Sequence, residues 1–163
     1  MLIYNNRAVV GFPIYLLIVI MTSSLIIGLL TISVLNMINQ SKDDAIKKEI
    51  EKILSEAENM FEYADSGTLV NMKIDFPDNL NFVVFGSLPD GINKPSNFSL
   101  DENTSNNYFY VLDDGTINSY SSHTRFSGNS TREISVLYQG SYDLILELEK
   151  EGGKSYVKIY PQQ

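Results

Sequence analysis

The residue types that most often carry out chemistry are scarce in this sequence. His123 is the only histidine, and there is no cysteine. A zinc site built from several His or Cys ligands is therefore excluded. Catalysis by a thiol is excluded as well, because there is no cysteine to act as the nucleophile. No G-x-S-x-G motif, P-loop or dinucleotide fingerprint is present. The sequence predicts no catalytic residue, no metal site and no cofactor, and we expect a protein that is not an enzyme.

Two acidic stretches are the nearest approach to a cation site. Asp113, Asp114 and Gly115 lack the alternating oxygen ligands and the closing Glu of a calcium loop, so a hairpin turn is the better interpretation. Asp101 and Glu102, with the asparagine that follows them, stand in a long polar stretch and are interpreted as a solvated loop.

Tyrosines are frequent in the second half of the chain and suggest either a binding surface or sheet packing. An adhesive or sugar-binding face would need exposed rings, whereas alternation along strands is typical of rings that pack on a sheet and leave the hydroxyl in water. We favour packing for these residues: Tyr108, Tyr110, Tyr120, Tyr138, Tyr142, Tyr156 and Tyr160.

A long apolar segment dominates the N-terminal part. Residues 8–35 contain no charged side chain, and Arg7 is the only charge before them. As a helix these residues would reach ~42 Å, which exceeds a bilayer core of about 30 Å. The run is too long for the apolar region of a secretory signal, and no small-residue cleavage site follows it. It predicts a retained transmembrane helix.

The helix is predicted to continue past the membrane. Over residues 36–65 charged side chains surround one apolar stripe with steps of three and four, which consists of Ile46, Ile50, Ile53, Leu54, Ala57, Met60, Phe61 and Ala64. No Gly or Pro interrupts this part, and Ser66-Gly67 supplies an end signal. We expect one continuous or gently bent helix over residues 8–65.

From Leu69 onward the apolar period changes to two, which is typical of strands. About seven strand-like stretches follow: LVNMKIDF, LNFVVFG, YFYVL, TINSYSS, EISVLY, SYDLILELE and KSYVKIY. Residues 66–163 are therefore predicted to form a β-rich globular head. The predicted fold class is α+β, with a long N-terminal transmembrane and amphipathic helix followed by an antiparallel β-sheet or small β-sandwich. The stripe of the helix would cover the sheet.

The stretch NNRAVVGFPIYLL, the unbroken apolar helix and the β-rich head together resemble an archaeal type IV pilin-like protein. The resemblance implies that a prepilin-type peptidase removes a short leader on the cytoplasmic side. It further implies that the apolar helix resides in the lipid bilayer and bundles with copies of itself or with other pilin-like subunits in a surface filament. The head would form the outer surface.

The resemblance places leader processing at one of two junctions. Archaeal leaders usually end at a basic-small pair, which matches Arg7 and Ala8 and makes residues 1–7 the leader, whereas the bacterial rule would select Gly11 and Phe12. Family members commonly carry a Glu five residues into the mature chain. That position is Phe12 or Leu16 here, and this departure favours a minor or accessory pilin over a major one.

Four positions of the apolar helix are candidate assembly residues: Phe12, Pro13, Leu16 and Gly28. Pro13 costs least in a first helical turn. Small residues such as Gly28 let helix backbones approach closely in lipid. Several hydroxyl residues accompany them and can bond the carbonyl one turn back.

Charge and sequons give conflicting signals about orientation. The lysines from Lys42 to Lys52 follow the span and favour a cytoplasmic head by the positive-inside rule. They alternate with acidic residues, however, and the chain carries four candidate N-glycosylation sequons, at Asn39, Asn97, Asn103 and Asn129. We expect the head to lie outside the cell.

From Asn36 onward the chain has 11 basic and 20 acidic side chains, a net charge of −9. This part repels phosphate backbones, so we expect no nucleic-acid partner. The leading hypothesis is a pilin-like structural subunit, or a minor or accessory pilin, of a type IV filament or a related secretion or assembly system. The alternative is a single-pass membrane-anchored extracytoplasmic binding or sensor module that uses the loop Ser87–Asn107.

Overall fold

The structure, a computed structural model, describes residues 7–90 and 99–162, with side chains from Pro13 onward. The described residues form one helix, α1 (Arg7–Tyr63), and eight strands: β1 (Leu69–Phe76), β2 (Leu80–Phe85), β3 (Asn107–Leu112), β4 (Ile117–Ser121), β5 (Phe126–Ser127), β6 (Ser135–Tyr138), β7 (Gly140–Glu151) and β8 (Lys154–Pro161). The predicted α+β fold class is confirmed. The contacts within the chain divide it after Ser41, inside α1, into two compact units.

The prediction of a single long helix is confirmed. It ends at Tyr63, two residues earlier than expected, although the Ala64 N–H still donates to the Met60 carbonyl at 3.0 Å. Gly67 follows with φ of 89°, a left-handed conformation that glycine adopts without a Cβ clash. Its N–H donates to the Leu148 carbonyl at 2.7 Å, so the end of the helix is tied directly to β7.

Two four-stranded sheets form the head within the described residues. Their strand orders are β1-β7-β8-β5 and β4-β3-β2-β6. The predicted hairpin at Asp114-Gly115 is confirmed, because β3 pairs with β4, and β7 and β8 form a further hairpin across Gly152-Gly153. The two-residue strand β5 was not predicted, and it pairs with β8 in parallel, unlike the other strand pairs.

The turn at Pro77 and Asp78 separates the two sheets. The Leu80 N–H donates to the Pro77 carbonyl at 3.1 Å, which makes the connection tight. Nevertheless β1 pairs only with β7, while β2 pairs with β3 and β6. The turn is therefore a corner between sheets rather than a hairpin.

One hydrophobic core joins the helix to both sheets. The predicted stripe is buried at five positions, Ile46, Ile50, Ile53, Ala57 and Met60, and its other members, Leu54, Phe61 and Ala64, pack partly buried against it. In the same cluster lie Leu144, Leu146 and Leu148 from β7, with side chains of the second sheet. The predicted role of the stripe as the cover of the sheet is confirmed.

The second sheet also buries its other face. Phe82 and Val84 from β2 cluster there with Phe109 and Val111 from β3 and with Ile134. The side chains of β2 form a nearly continuous apolar run, because both faces of this strand are covered. Along β7, by contrast, more buried side chains alternate with less buried ones.

Candidate functional site

The apolar part of α1 carries the most conspicuous exposed surface of the described chain. Each side chain from Pro13 to Ser41 is exposed within its unit. Leu25, Ile27 and Leu29 each leave more than 60% of their surface uncovered. Burial of each such side chain away from water would be favourable by about 1.5–3 kcal/mol of free energy. Among the described residues, α1 is the one helix long and apolar enough to cross a membrane.

Three hydroxyl side chains on this segment donate hydrogen bonds to carbonyls of the same helix. Thr22 Oγ1 donates to the Ile18 carbonyl at 3.0 Å, and Ser24 Oγ donates to Ile20 at 2.8 Å. Thr31 makes the same bond one turn back, at 2.9 Å. In hydrocarbon an unsatisfied polar group costs several kcal/mol. The predicted bond to the carbonyl one turn back is confirmed for Thr22, Ser24 and Thr31, and it suits these three residues to an apolar environment.

The candidate assembly residues occupy one broad side of the helix, and their role in assembly stays a prediction. Leu16 and Gly28 are twelve residues apart, which corresponds to a rotation of about 120° around the helix. Pro13 lies inside α1 and beyond its first turn, because the helix begins at Arg7. The side chain of Phe12 lies outside the described residues. At about 100° per residue, the four predicted positions fall within an arc of about 160° of the helix.

Sequence reasoning missed a better-defined surface of small residues. Ser24, Gly28 and Thr31 follow one another at steps of four and three and share one helix face. A Cβ added to Gly28 would meet no atom within 4 Å, so this face is open. The sequence signal was the Ser-x-x-x-Gly spacing, a relative of the motif that lets helices approach closely in lipid.

The leader-processing candidates lie where the description of the chain begins. Arg7, Ala8, Gly11 and Phe12 belong to the first turns of α1, and their side chains are outside the described residues. The leader itself, apart from Arg7, also lies outside them. Cleavage at either junction stays a prediction.

Polar contacts reinforce the attachment of α1 to the head near both ends of the buried stripe. Lys42 Nζ pairs with Asp78 Oδ1 at 2.7 Å, and this ion pair lowers the pKa of the Asp78 carboxyl. Towards the other end of the stripe, Ser122 Oγ donates to Glu58 Oε1 at 3.1 Å. The helix is thus held near the β1–β2 corner and beside the end of β4.

Asp113, Asp114 and Gly115 form a hairpin turn, as predicted, and the stretch of Asp101 and Glu102, which was interpreted as a solvated loop, leads into a turn. The Thr116 N–H donates to Asp114 Oδ1 at 2.8 Å, and hydrogen bonds from Thr116 lower the pKa of that carboxyl. The Asn103 N–H donates to Asp101 Oδ1 at 3.0 Å. No group of three or more His, Cys, Asp or Glu side chains able to hold a metal ion is present among the described residues. His123 lies exposed in the bend between β4 and β5.

The sequons differ in their surroundings. Asn39 is exposed within α1, next to the apolar segment, whereas Asn103 and Asn129 are exposed in turns of the head. Asn97 lies outside the described residues. Asn129 borders a shallow apolar depression of about 480 Å³ that Ile145, Tyr160 and Pro161 also line. Modification of any of these residues stays a prediction.

Three of the tyrosines form an aromatic layer between α1 and the second sheet. The rings of Tyr108 and Tyr120 lie 5.4 Å apart at 22°, and those of Tyr110 and Tyr120 lie 6.3 Å apart at 18°. Burial raises the pKa of Tyr108 and Tyr110, and nearby carboxylates raise both further. Tyr110 is buried in the core as predicted, but Tyr120 is 44% exposed. Sheet packing, the role predicted for these tyrosines, therefore accounts for Tyr110 but not fully for Tyr120.

Comparisons of the chain with protein-family models, with curated proteins and with solved structures give no match.

Proposed function

We propose that the chain is a pilin-like subunit, of the minor or accessory kind, in a type IV filament or a related secretion or assembly system. The observation that carries the proposal is the construction of α1. One helix begins with an exposed, uncharged segment and ends with a stripe buried in the core of a β-rich head. In this proposal the helix serves both as membrane anchor and as assembly element, and the head is the part presented outside the cell.

The apolar segment supports helix bundling as well as anchoring. A lipid bilayer covers its side chains as well as another helix would, so association inside the membrane depends on close packing and not on the hydrophobic effect. The face of Ser24, Gly28 and Thr31 is the surface where backbones can approach most closely. If the helix leaves the bilayer, burial against identical helices becomes the main driving force.

Two measurements on the native membrane protein test the proposal. Intact mass and N-terminal sequencing should show a chain that begins at Ala8 or at Phe12. The same protein, extracted in mild detergent, should be oligomeric. A chain that begins at Met1 and stays monomeric would contradict the proposal.

Cysteine cross-linking gives a sharper test, because the native chain has no cysteine. Ser24→Cys should form disulfide-linked dimers in oxidised membranes. Ser23→Cys is the matched control, since it lies about 100° away on the same helix and should cross-link much less. Equal cross-linking at both positions would indicate random collision and not a packed face.

The second candidate, an anchored extracytoplasmic binding or sensor module, is favoured by the apolar depression beside Tyr160. The loop Ser87–Asn107 is only partly described. Within this loop, the Leu100 N–H donates a hydrogen bond of 2.8 Å to the Arg132 carbonyl, and the Leu100 side chain packs against the cluster that contains Phe82. Monomeric full-length protein that retained a co-purifying small molecule would favour this candidate.

A further inference from the structure

The described sheets have four edge strands, and three of them carry a feature that hinders strand addition. Strand β5 has only two residues. On β1, the Asp75 N–H is directed at Glu49 Oε2 of the helix at 3.4 Å, and the charged side chain of Lys73 stands at the neighbouring outward position. On β6, the Tyr138 N–H donates to Tyr142 Oη at 3.2 Å. Such shielding is how natural proteins prevent uncontrolled strand addition.

Strand β4 is the exception. The Leu112 N–H donates to the Thr116 carbonyl at 3.0 Å, and the Ser122 N–H donates to the Asn106 carbonyl at 2.8 Å. Hydrogen-bonded pairs alternate with non-hydrogen-bonded pairs along an antiparallel ladder. Between these two points, every second residue of β4 therefore directs its backbone N–H and C=O groups away from β3. The residues that face away are Ile117, Ser119 and Ser121.

This outward row is open for pairing. All three residues are exposed, and their N–H groups have no hydrogen-bond partner within the described parts of the chain. The surrounding stretch TINSYSS contains no charge and no proline, and the β3–β4 register has no bulge. The usual obstacles to strand addition are therefore missing from this edge.

A groove between aromatic rings of the second sheet and charged side chains of α1 lies beside the same edge. It has a volume of about 140 Å³ and is lined by Tyr108, Tyr110, Tyr120, Lys47, Ile50 and Glu51. The Glu51 and Glu58 carboxylates lie close enough to raise the pKa of Tyr108, after the larger effects of its burial and of Tyr120. Aromatic rings flanked by carboxylates attract a cationic group, and Lys47 opposes this attraction only in part.

We propose that the free edge of β4 docks an extended peptide segment of a partner protein that carries basic side chains at alternate positions. The peptide backbone pairs with Ile117, Ser119 and Ser121, and a Lys or Arg side chain enters the tyrosine groove. Backbone pairing supplies the affinity, and the groove supplies the selectivity for basic residues. The docking site is independent of the function proposed for α1.

A second copy of the chain fits this edge less well. Pairing of β4 with β4 is symmetric, so it brings the same patch of both copies together. The stretch TINSYSS offers no basic side chain to the groove of the other copy. The carboxylates of Glu51 and Glu58 would instead approach those of the partner copy, and like charges repel.

The test uses the full-length protein in mild detergent and two blocked synthetic peptides, TKTKTKT and TETETET. Amide exchange is followed by NMR. The lysine peptide should slow exchange at Ile117, Ser119 and Ser121, and the glutamate peptide should leave it unchanged. Equal protection by both peptides, or no protection by the lysine peptide, would overturn the proposal. So would protection without peptide that grows with protein concentration, since that result assigns the edge to a second copy.

Two pairs of variants separate backbone pairing from charge. Ser119→Pro removes the central N–H and should weaken lysine-peptide binding at least about tenfold, whereas Ser119→Ala keeps the N–H and should bind normally. Glu51→Gln should weaken binding severalfold, and Lys47→Gln should strengthen it. Unchanged near-UV circular dichroism excludes misfolding in each case. Equal binding by Ser119→Pro and Ser119→Ala would overturn the backbone-pairing model.

Discussion

The hydroxyl of Ser135 donates a hydrogen bond of 2.8 Å to the backbone carbonyl of Ile159. Ser135 belongs to β6 in one sheet and Ile159 belongs to β8 in the other, and both residues are buried. The bond links the two sheets directly, within the core that they share with α1.

Removal of this link should destabilise the head. Ser135→Ala leaves a buried carbonyl without its hydroxyl partner, so we expect a loss of about 1–3 kcal/mol in the free energy of unfolding. Ser141→Ala is the control, because Ser141 also donates a hydrogen bond, to Asp75 Oδ1 at 2.6 Å, but at an exposed position. Urea unfolding of the full-length protein in detergent, followed by near-UV circular dichroism, measures both. An equal effect of the two substitutions would contradict the structural role of the Ser135 bond.

The two halves of α1 should respond differently to the same substitution. Ile53 is fully buried in the core, so Ile53→Ala should lower the free energy of unfolding of the head by about 2–5 kcal/mol. Ile32 is 59% exposed in the apolar segment, and Ile32→Ala should change the same quantity by less than about 0.5 kcal/mol. The urea midpoint of the head is the measurement. A large effect at Ile32 would show that the apolar segment contributes to the stability of the head.

Two glycines with similar backbone angles should differ in their tolerance of alanine. Gly86 has φ of 94° and Gly115 has φ of 84°, so either substitution carries the strain of a left-handed residue, about 1–2 kcal/mol. A Cβ at Gly86 would also come within 2.7 Å of Leu100 Cδ1 and 3.0 Å of the Phe126 carbonyl oxygen, whereas none would be near it at Gly115. Gly86→Ala should therefore cost about 1–3 kcal/mol more in thermal unfolding. Equal melting temperatures would refute the close approach of Leu100.

Stability should fall in alkaline solution. Burial raises the pKa of Tyr110, and the neighbouring Tyr120 adds to this effect. Burial acts to lower the pKa of Lys158, but its contacts with Glu149 and Glu147 outweigh burial and the net shift is upward. A folded-state pKa above the unfolded value gives stability that is complete below the unfolded pKa and is lost as pH rises through the folded one.

The free energy of unfolding should therefore begin to fall above about pH 10, where unfolded Tyr and Lys start to lose protons. Urea unfolding between pH 8 and 12 measures the decline, and Tyr110→Phe should make it shallower. The absorbance of tyrosinate should also rise later in the native protein than in the urea-unfolded chain, which serves as the control. Coincident absorbance curves would contradict the raised pKa values.

The local periodicity of apolar residues predicted the helix and most of the strands of this fold. It did not predict which strands pair with each other. The stripe from Ile46 to Met60 identified the face of the helix that is buried, and Asp114-Gly115 identified a hairpin. Neither pattern shows that the turn at Pro77 separates two sheets, because a tight turn has the same local sequence in a hairpin and in a corner. Strand β5 is two residues long, too short for any alternation to be visible.

The candidate surfaces were predictable to a similar extent. Uncharged residues 8–35 sufficed to predict an exposed apolar helix. The tyrosine groove was not predictable, because Tyr120 joins Tyr108 through cross-strand register and Lys47 and Glu51 join them through the docking of the helix. Both relationships depend on tertiary packing, which residue spacing alone does not specify.

The burial of the second half of α1 in the head also determines how the protein bears mechanical load. Any tension on the apolar segment passes along the backbone to the buried residues Ile46, Ile50, Ile53, Ala57 and Met60. These side chains pack in one core with side chains of both sheets. Extraction of the helix by force must therefore break many of these contacts at the same time. Ile53, near the middle of the stripe, should be the site where a small cavity most reduces the force that the head withstands.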